Sequence, residues 1–487
     1  MFTSSVRVLS QADMDLIHGS AVEILRDVGV RVDHPRMRDL LHDFGCPVEG
    51  SVVKFPEAIT EDVVSKMRDP GNLVDGYVGT LPLKRDRIPD DARVVPVATA
   101  QATIAHDIET DELRPATQQD VADSCRVVNA LPGAVTGHPV FLPQDVPEMV
   151  RDLYALKTVA QHYPYSDFVE VYSPEVAPYF LEMGRVICGS DEALKDDPPF
   201  SSWAFATPPF QFGRHGFDIV FMFKDFGLKQ GYGVGGVMHI LGASAPLTLS
   251  GYLVMQTAEV LACNIMNWVL LGRVSGYSGG PAILDMKRAT PSQSAAEAIA
   301  LDLACMDLQR YYGDPDPMFP YALNADAKFP DVQAGIDKTF SATVGVLAGS
   351  RVLSAGMGAL CLSGVASLAQ LVIDYELCRT LGHMAQGFVV DEDHIGMETI
   401  KRVGIGGNFL AEDHTLKYMR ETLFFPELSD RRMVSDWQQD RKGMLEHAKD
   451  KVRNILQHGD HQEYLSQEQV QDLDRIAQQA RKKISGQ

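Results

Sequence analysis

Hydrophobic positions near the N-terminus recur at the spacing of an α-helix. Between residues 10 and 28 they fall on one face, at Met14, Ile17, Ala21, Ile24 and Val28. This spacing predicts an amphipathic helix. Ser10, followed by Asp13 three residues later, resembles a capping box with aspartate in the glutamate position. Further helices are predicted after Pro35 and Pro56, so the first seventy residues are predicted to form a helical cap.

Residues 73–115 have a different pattern, with short apolar runs separated by turn residues. Val94 to Val97 is one such run, interrupted by Pro96. Short runs of this kind predict hairpins, which we expect to pack against the remainder of the chain.

From about residue 118, short apolar runs alternate with longer helical patterns. Eight runs are candidate strands: 134–140, 168–172, 201–206, 231–238, 274–278, 319–325, 352–356 and 387–390. The helical patterns include 147–160, 174–187, 249–271, 293–311, 332–348 and 367–381. Eight strands with intervening helices favour a closed parallel barrel over an open sheet.

We therefore predict an α/β fold, a (β/α)8 TIM barrel with an N-terminal helical and β-rich cap and C-terminal helices. The predicted boundaries are 1–117 for the cap, 118–400 for the barrel and 401–487 for the C-terminal helical extension.

One glycine run resembles a dinucleotide-binding fingerprint. Gly231, Gly233 and Gly236 match G-x-G-x-x-G, but a fingerprint requires a helix to start within the run. Here a β-like run follows, then a turn closed by Pro246, and the next helix begins only near Thr248. We therefore place these glycines in a strand, where they allow a ligand or another backbone to approach closely.

Composition excludes several classes of function. The chain has 44 Lys and Arg against 65 Asp and Glu, a net charge of −21, which disfavours nucleic acid and anionic membrane surfaces as partners. Its seven cysteines are scattered without a C-x-x-C pair, which favours reduced thiols and a cytoplasmic location. We expect neither a signal peptide nor a membrane span, because the first residues contain no apolar segment and no run approaches 18 uncharged apolar residues.

Aromatic residues cluster at the ends of the predicted strands, where the sites of such barrels lie. Aromatic faces bind quaternary ammonium groups by cation–π attraction, although core packing is the simpler explanation for each residue alone. The candidate substrate-binding aromatics are Tyr172, Trp203, Phe205, Phe210, Tyr277 and Tyr321.

Three residues are candidate catalytic groups. Glu170 interrupts an apolar strand, FVEVY, which is costly unless the charge is paired or functional. Asp326 ends the sixth predicted strand, and His239 follows the fourth. No spacing of His and Cys residues indicates a metal site, and no nucleophile motif is present.

Several segments together resemble the trimethylamine methyltransferase family. They include GASAPLTLSGYLVMQTAEVLA from Gly242, NADAKFPDVQAGID from Asn324, LVIDYEL, and GIGGNFLAEDHTLKYMRETLFFPELSDR from Gly404. The N-terminal helix and DVPEMVRDLYAL extend the resemblance over nearly the whole chain, in order. One departure is SRVLSAGMG at residues 350–358, where the family pattern is close to ANLVH-x-AG.

The resemblance implies methyl transfer from an amine to the Co(I) of a corrinoid held by a cognate partner protein, with no cofactor bound tightly by this chain. Family members that act on tertiary amines contain pyrrolysine, whereas this chain has only standard residues, so a quaternary amine such as glycine betaine is the expected substrate. A betaine also needs a ligand for its carboxylate, and Arg214 or His215, after the third predicted strand, is the candidate. A homo-oligomer is also expected.

Two alternatives remain open. A barrel lyase or hydrolase could use Glu170 and Asp326 as an acid–base pair, without a corrinoid partner. A non-catalytic subunit could bind a betaine without turnover.

Overall fold

Helices and short strands alternate along most of the chain in this computed structural model. It describes residues 6–74, 77–78, 81–84, 92–136, 138–164, 169–236, 238–314, 316–459 and 461–484. Parts of the predicted strands, including residues 137, 168 and 237, lie outside these ranges. The predicted capping box is confirmed, because Ser10 and Asp13 each accept a hydrogen bond from the other's backbone N–H.

The first part of the chain is helical and then β-rich, as predicted. Its elements are α1 (Gln11–Asp27), β1 (Val30–Val32), α2 (Pro35–Asp43), β2 (Val48–Glu49), β3 (Val52–Val53), α3 (Glu57–Met67), β4 (Tyr77–Val78), β5 (Leu81–Lys84), β6 (Val95–Ala98), β7 (Ile104–His106) and β8 (Leu113–Pro115).

The middle of the chain carries the alternation of strands and helices. Its elements are α4 (Gln118–Asn129), β9 (Val135–Thr136), α5 (Arg151–His162), β10 (Val169–Glu170), α6 (Ala177–Cys188), α7 (Asp191–Asp196), β11 (Phe200–Thr207), β12 (Gln211–Phe212), α8 (Arg214–Phe226), β13 (Tyr232–Gly235), β14 (Ile240–Leu241), α9 (Leu249–Leu271), β15 (Ala282–Asp285), β16 (Thr290–Ser292), α10 (Ala296–Tyr311), α11 (Val332–Leu347), β17 (Val352–Met357), β18 (Ala359–Leu360), β19 (Val365–Ser367) and α12 (Leu368–Gln386).

Helices make up the last part. They are α13 (Glu392–Ile395), α14 (Met397–Val403), α15 (Asp413–Thr422), α16 (Val434–Trp437), α17 (Met444–His458) and α18 (Gln467–Ile484). Helix α17 packs on α12 and α4, and α18 packs on α5 and α6.

Parallel pairing joins strands that are far apart in sequence. Strand β11 pairs in parallel with β10 and β13, and β6 pairs in parallel with β17 and β9. Isolated parallel bridges join Leu73 to Val274 and Phe319 to Leu353. The chain is thus a mixed α/β protein, and the strand pairs of the described residues form several separate ladders rather than one continuous closed sheet.

Four strand predictions were wrong. Residues 387–390 form no strand, and Phe388 is 90% exposed. Residues 274–278 and 319–325 form no strand either, and each contributes only one isolated bridge, at Val274 and at Phe319. The run from Val94 to Val97, predicted as a hairpin, instead contributes β6 to a parallel ladder with β17 and β9. Strand β6 thus pairs with strands on the other side of the predicted boundary at residue 117, and the domain boundaries themselves remain a prediction.

Two asparagines of α9 make hydrogen bonds to the backbone of β13 and of the segment at residues 275–276, as a neighbouring strand would. The Asn267 carboxamide accepts from the N–H of Val234 at 2.7 Å and donates to its carbonyl at 2.5 Å. Asn264 accepts from the N–H groups of Ser275 and Gly276 and donates to the Gly276 carbonyl at 2.8 Å. Buried backbone groups without a partner are costly, so these side chains stabilise two strand-like segments.

A single large core connects the N-terminal helices to the C-terminal ones, with members from Ile17 to Ala480. Helix α9 lies at its centre and contacts α1, α3 and β13. It is the one helix of the described residues long and apolar enough to cross a membrane, and 78% of that apolar window is buried inside the protein. Its composition is therefore explained by its position in the core.

Candidate active site

Glu170 is the last residue of β10, and its side-chain carboxyl group is buried. Glu170 is 7% exposed, and its carboxyl oxygen lies 2.7 Å from the Tyr172 hydroxyl. The same hydroxyl lies 2.5 Å from the amide oxygen of Gln101. Glu170 and Tyr172 lie two residues apart on one face of an extended chain, as strand geometry requires, and Gln101 joins them from the segment after β6.

The single hydroxyl proton of Tyr172 bears on the charge of Glu170. A tyrosine hydroxyl has one proton to donate, yet the Tyr172 oxygen makes short contacts with two oxygens. If the Tyr172 proton goes to the Gln101 amide oxygen, Glu170 must carry a proton; if it goes to Glu170, the Gln101 amide group must turn its N–H toward the Tyr172 oxygen.

The electrostatic environment of Glu170 favours the protonated carboxyl. Burial raises the pKa of Glu170 to about 7, and the hydrogen bonds from Tyr172 and Gln101 oppose this shift only in part. A carboxyl with a pKa near 7 changes charge in the neutral range, as functional carboxyls often do.

A second carboxyl lies beside this group. Asp152, in the first turn of α5, is 7% exposed, and burial raises its pKa to about 7 as well. It accepts a hydrogen bond from the N–H of Leu153 at 3.1 Å and one from the backbone of Tyr172. Asp152 could not be selected from the sequence, because an acidic residue in the first turn of a helix is ordinary.

Two aromatic side chains of β11 lie against the glycines of the neighbouring strand. A Cβ on Gly233 would lie 2.7 Å from the Trp203 ring, and a Cβ on Gly236 would lie 2.2 Å from the Phe205 ring. The glycines are therefore needed to seat these rings. They lie in and just after β13, and the next long helix, α9, begins at Leu249, so the prediction that this glycine run belongs to a strand and not to a strand-to-helix turn is confirmed.

His239 and Glu259 form a separate, fully buried pair. Both side chains have no exposed surface, and the His239 Nε2 lies 3.3 Å from a carboxyl oxygen of Glu259. The other oxygen of Glu259 accepts from the backbone N–H of Phe210. Because this pair lies beneath the surface and fixes the backbone at Phe210, His239 has the setting of a structural residue.

Asp326 lies in a third network. Its carboxylate accepts from the hydroxyl of Ser292 and, at 3.4 Å, from the backbone N–H of Gln293. Among the hydrogen bonds of the described residues, none joins Asp326 to Glu170 or His239. The structure therefore distributes the three predicted catalytic groups over three networks.

The other predicted ligands are also dispersed. Arg214, at the exposed start of α8, lies 3.4 Å from Asp218. Tyr277 is buried and stacks on Tyr312 with ring centroids 5.4 Å apart. Tyr321 packs against Gly280, where a Cβ would lie 2.4 Å from its ring.

Sequence reasoning missed Gln101. It lies three residues beyond β6, the strand that the sequence had placed in a hairpin, and its backbone has a φ of 58°. Non-glycine residues rarely adopt such a φ, and those that do are often at functional sites. The signal would have been visible once β6 was recognised as a parallel strand.

The amino-acid sequence is similar to known methyltransferases over nearly its whole length. The family model described as trimethylamine methyltransferase (MTTB) matches residues 2–485. The trimethylamine methyltransferase MttB of Desulfitobacterium hafniense is 27% identical over 432 residues, 88% of this chain and 84% of that protein. MttB of Methanosarcina barkeri is 27% identical over 467 residues, 91% and 89% of the two chains. A glycine betaine methyltransferase of D. hafniense strain Y51 is 23% identical over 459 residues, 92% of each. The match over nearly the whole length shows that this chain belongs to the trimethylamine methyltransferase (MTTB) family.

Proposed function

We propose that this methyltransferase transfers a methyl group from a quaternary amine of the betaine type, such as glycine betaine, to the Co(I) of a corrinoid carried by a partner protein, with release of a tertiary amine. Two facts support the proposal: the family match over residues 2–485, and the presence among the relatives of a glycine betaine methyltransferase. The sequence contains only standard residues, which favours a quaternary substrate.

The observation that carries the proposal is the buried Glu170 in contact with the half-exposed Tyr172, with a second half-exposed ring, Phe205, farther along the neighbouring strand β11. Tyr172 is 51% exposed and Phe205 is 44% exposed, so a ligand can reach both. A quaternary ammonium group offers no N–H donor, and aromatic faces and carboxylates are its natural ligands. A cation bound here would favour the ionised form of Glu170.

The chemistry requires little from the protein beyond positioning. The corrinoid, when its carrier is bound, supplies the nucleophile. The leaving group is a neutral tertiary amine, so no general acid is needed. The residues of this chain hold the cation, turn one methyl group outward and keep water away from it.

The carrier protein would dock over exposed apolar side chains. Tyr172, Phe205 and Met238 are all more than 40% exposed. Tyr172 and Met238 follow the carboxyl ends of β10 and β13, and Phe205 lies near the carboxyl end of β11. Exposed apolar surface of this kind commonly marks an interaction site.

The parallel pairs support the finer fold assignment as well. We infer that β6, β9, β10, β11, β13, the segments at residues 274 and 319, and β17 are the eight strands of a (β/α)8 barrel. On this assignment β6 is the first strand, and residues 387–390 lie outside the barrel. The carboxyl ends of the strands then surround Gln101, Glu170 and Phe205, as barrel enzymes require.

We further propose a homo-oligomer formed through the C-terminal arm, defined as residues 387–443. Many of its apolar side chains face solvent, including Phe388 at 90%, Leu410 at 84% and Ile405 fully. Monomers rarely expose contiguous apolar patches above about 300–600 Å².

The seven cysteines are all free, which supports a reducing cytoplasmic location.

The lyase or hydrolase alternative receives less support from the geometry. It requires Glu170 and Asp326 to act as a pair, whereas they lie in separate networks. A subunit that binds betaine without turnover would keep the same cation ligands and differ only in the absence of methyl transfer.

Kinetics of Phe205→Leu test the proposed site. Loss of a cation–π contact worth about 2 kcal/mol predicts a KM for the amine about 30-fold higher, with kcat changed far less. Phe226→Leu, at the C-terminal end of α8, serves as the control and should leave KM unchanged. An unchanged KM for Phe205→Leu would remove this side chain from the site.

A further inference from the structure

Helix α11 presents an apolar outer face to solvent. Val332, Ile336 and Phe340, each one turn from the next, are 79%, 64% and 55% exposed. Together with the row of small residues beside them, Gly335 and Thr339 among others, they line an open groove with a volume of about 580 Å³, which we call the α11 groove. The opposite face of α11 is buried, so the helix is apolar on both sides. A helix that is apolar all round is normally covered all round.

The α11 groove is lined by uncharged residues, although the chain as a whole is strongly acidic. Within α11 the charged residues are Asp337 and Lys338, and both are turned inward. Asp337 accepts a hydrogen bond from the N–H of Asp326 at 3.1 Å, and Lys338 is buried 2.8 Å from Asp374. Two copies that each carry a net charge of −21 can therefore meet at this face without placing like charges opposite each other.

The C-terminal arm offers a side chain that suits such a groove. Ile405 is fully exposed and lies between Gly404 and Gly406, whose φ values of 64° and 77° are those of a sharp turn and favour glycine. The side chain therefore stands at the tip of a tight loop. Nearby charges pair within the arm, as Arg402 does with Glu412, so the tip itself is apolar and needs an apolar cover.

The arm and α11 are both attached to helix α12. The arm begins directly after α12, and Glu376 of that helix accepts hydrogen bonds from the N–H groups of Leu428 and Ser429 at 2.7 and 2.9 Å. Helix α11 packs on α12 as well. Within one chain the arm tip and the α11 groove both stay exposed, so the arm does not cover α11 of its own copy.

We infer that the tip of the C-terminal arm, at Ile405, binds the α11 groove of a second copy of this chain. The inference rests on the proposed homo-oligomer and adds the surface that receives the arm. Because the arm and the groove are attached to the same helix, a two-fold axis beside α12 lets two copies exchange arms reciprocally, which closes the assembly as a dimer. A small molecule fits the groove less well, because the lining is apolar apart from two threonines and small-molecule sites need placed polar groups.

Light scattering of the full-length protein is the first test. The wild type should have twice the 53.5 kDa mass of one chain. Ile336→Glu and Ile405→Glu should each halve the measured mass, because a carboxylate placed in an apolar interface without a partner is costly. Leu16→Glu, at a 71% exposed position of α1, is the matched control and should leave the mass unchanged. All three side chains are exposed, so each variant should keep the Tm of the wild type.

Cross-linking between differently tagged chains tests the receiving surface itself. Thr339→Cys and Ile405→Cys are introduced into separate chains, the two chains are co-expressed, and a short bismaleimide is added. A covalent dimer that carries both tags should form. Each variant expressed alone should give no covalent dimer, which also controls for the seven native cysteines.

Four outcomes would overturn the inference. A covalent dimer from Ile405→Cys alone would show that arm pairs with arm. A mass lowered by Ile405→Glu and unchanged by Ile336→Glu would place the arm on another surface, and the homo-oligomer would stand. An unchanged mass in Ile336→Glu, with loss of methyl transfer to a carrier protein but not to free cob(I)alamin, would assign the α11 groove to the carrier. A monomeric wild type would overturn the homo-oligomer as well.

Methyl transfer from amines to cob(I)alamin separates this inference from the proposed reaction. If the wild type is a dimer that cross-links between Thr339→Cys and Ile405→Cys and transfers no methyl group from any amine to any carrier, the reaction fails and the arm contact stands. If methyl transfer proceeds and the cross-link is absent, the arm contact fails and the reaction stands.

Discussion

Replacement of Glu170 by glutamine should remove a pH dependence of stability that the structure assigns to this single carboxyl group. Its pKa in the folded protein is about 7, against an ordinary value of 4.5. A raised pKa in the folded state means that the stabilisation is fully present below pH 4.5 and is lost as pH rises through 7. The difference of about 2.5 pKa units corresponds to at most about 3 kcal/mol.

The assay is urea-induced unfolding of the wild type and Glu170→Gln at pH 4.5 and pH 8. The free energy of unfolding of the wild type should fall by up to about 3 kcal/mol more than that of the variant over this range. Asp152 titrates in the same range but is present in both proteins, so the difference isolates Glu170. Glu192→Gln, on the exposed surface of α7, is the control. Identical pH dependence in the wild type and Glu170→Gln would refute the proposed protonation of Glu170.

Three other predictions concern packing, a buried ion pair and assembly. Gly233→Ala places a Cβ 2.7 Å from the Trp203 ring and should lower the free energy of unfolding by about 1–3 kcal/mol. Gly235→Ala, whose Cβ would have its nearest contact at 3.5 Å, is the matched control. Equal losses in the two variants would contradict the close packing of Trp203 on Gly233. Lys338→Met leaves the buried carboxyl group of Asp374, 2.8 Å away, without its cationic partner, although Gly358 and Gln370 still donate to it. The substitution should cost about 3–5 kcal/mol in urea unfolding, and a loss below 1 kcal/mol would exclude this structural role. Ile405→Glu in the C-terminal arm should shift the mass measured by light scattering toward the monomer, and an unchanged mass would remove Ile405 from any interface.

The sequence predicted local features of the fold better than strand partnership. The capping box at Ser10 follows from local chemistry alone, and it is present. The run at residues 388–390 is as apolar as a strand, yet it is exposed. In contrast, β6 contains Pro96 and still pairs in a parallel ladder. Strand identity depends on which distant segments pair, and hydrophobic periodicity carries no information on partners.

The same limit applies to the candidate site. A charge within an apolar strand identified Glu170, and alternation along a strand placed Trp203 and Phe205 on one face. Gln101 follows a strand that was misassigned, so it was not considered.

Methylation of free cob(I)alamin, followed by its visible spectrum across a panel of quaternary and tertiary amines, tests the central claim most directly. The account predicts loss of the Co(I) band with a quaternary amine of the betaine type and no loss with trimethylamine. The panel is repeated with candidate corrinoid proteins, because some methyltransferases require their own carrier. A Co(I) band that persists with every quaternary amine and every carrier, or that disappears with trimethylamine alone, would contradict the account.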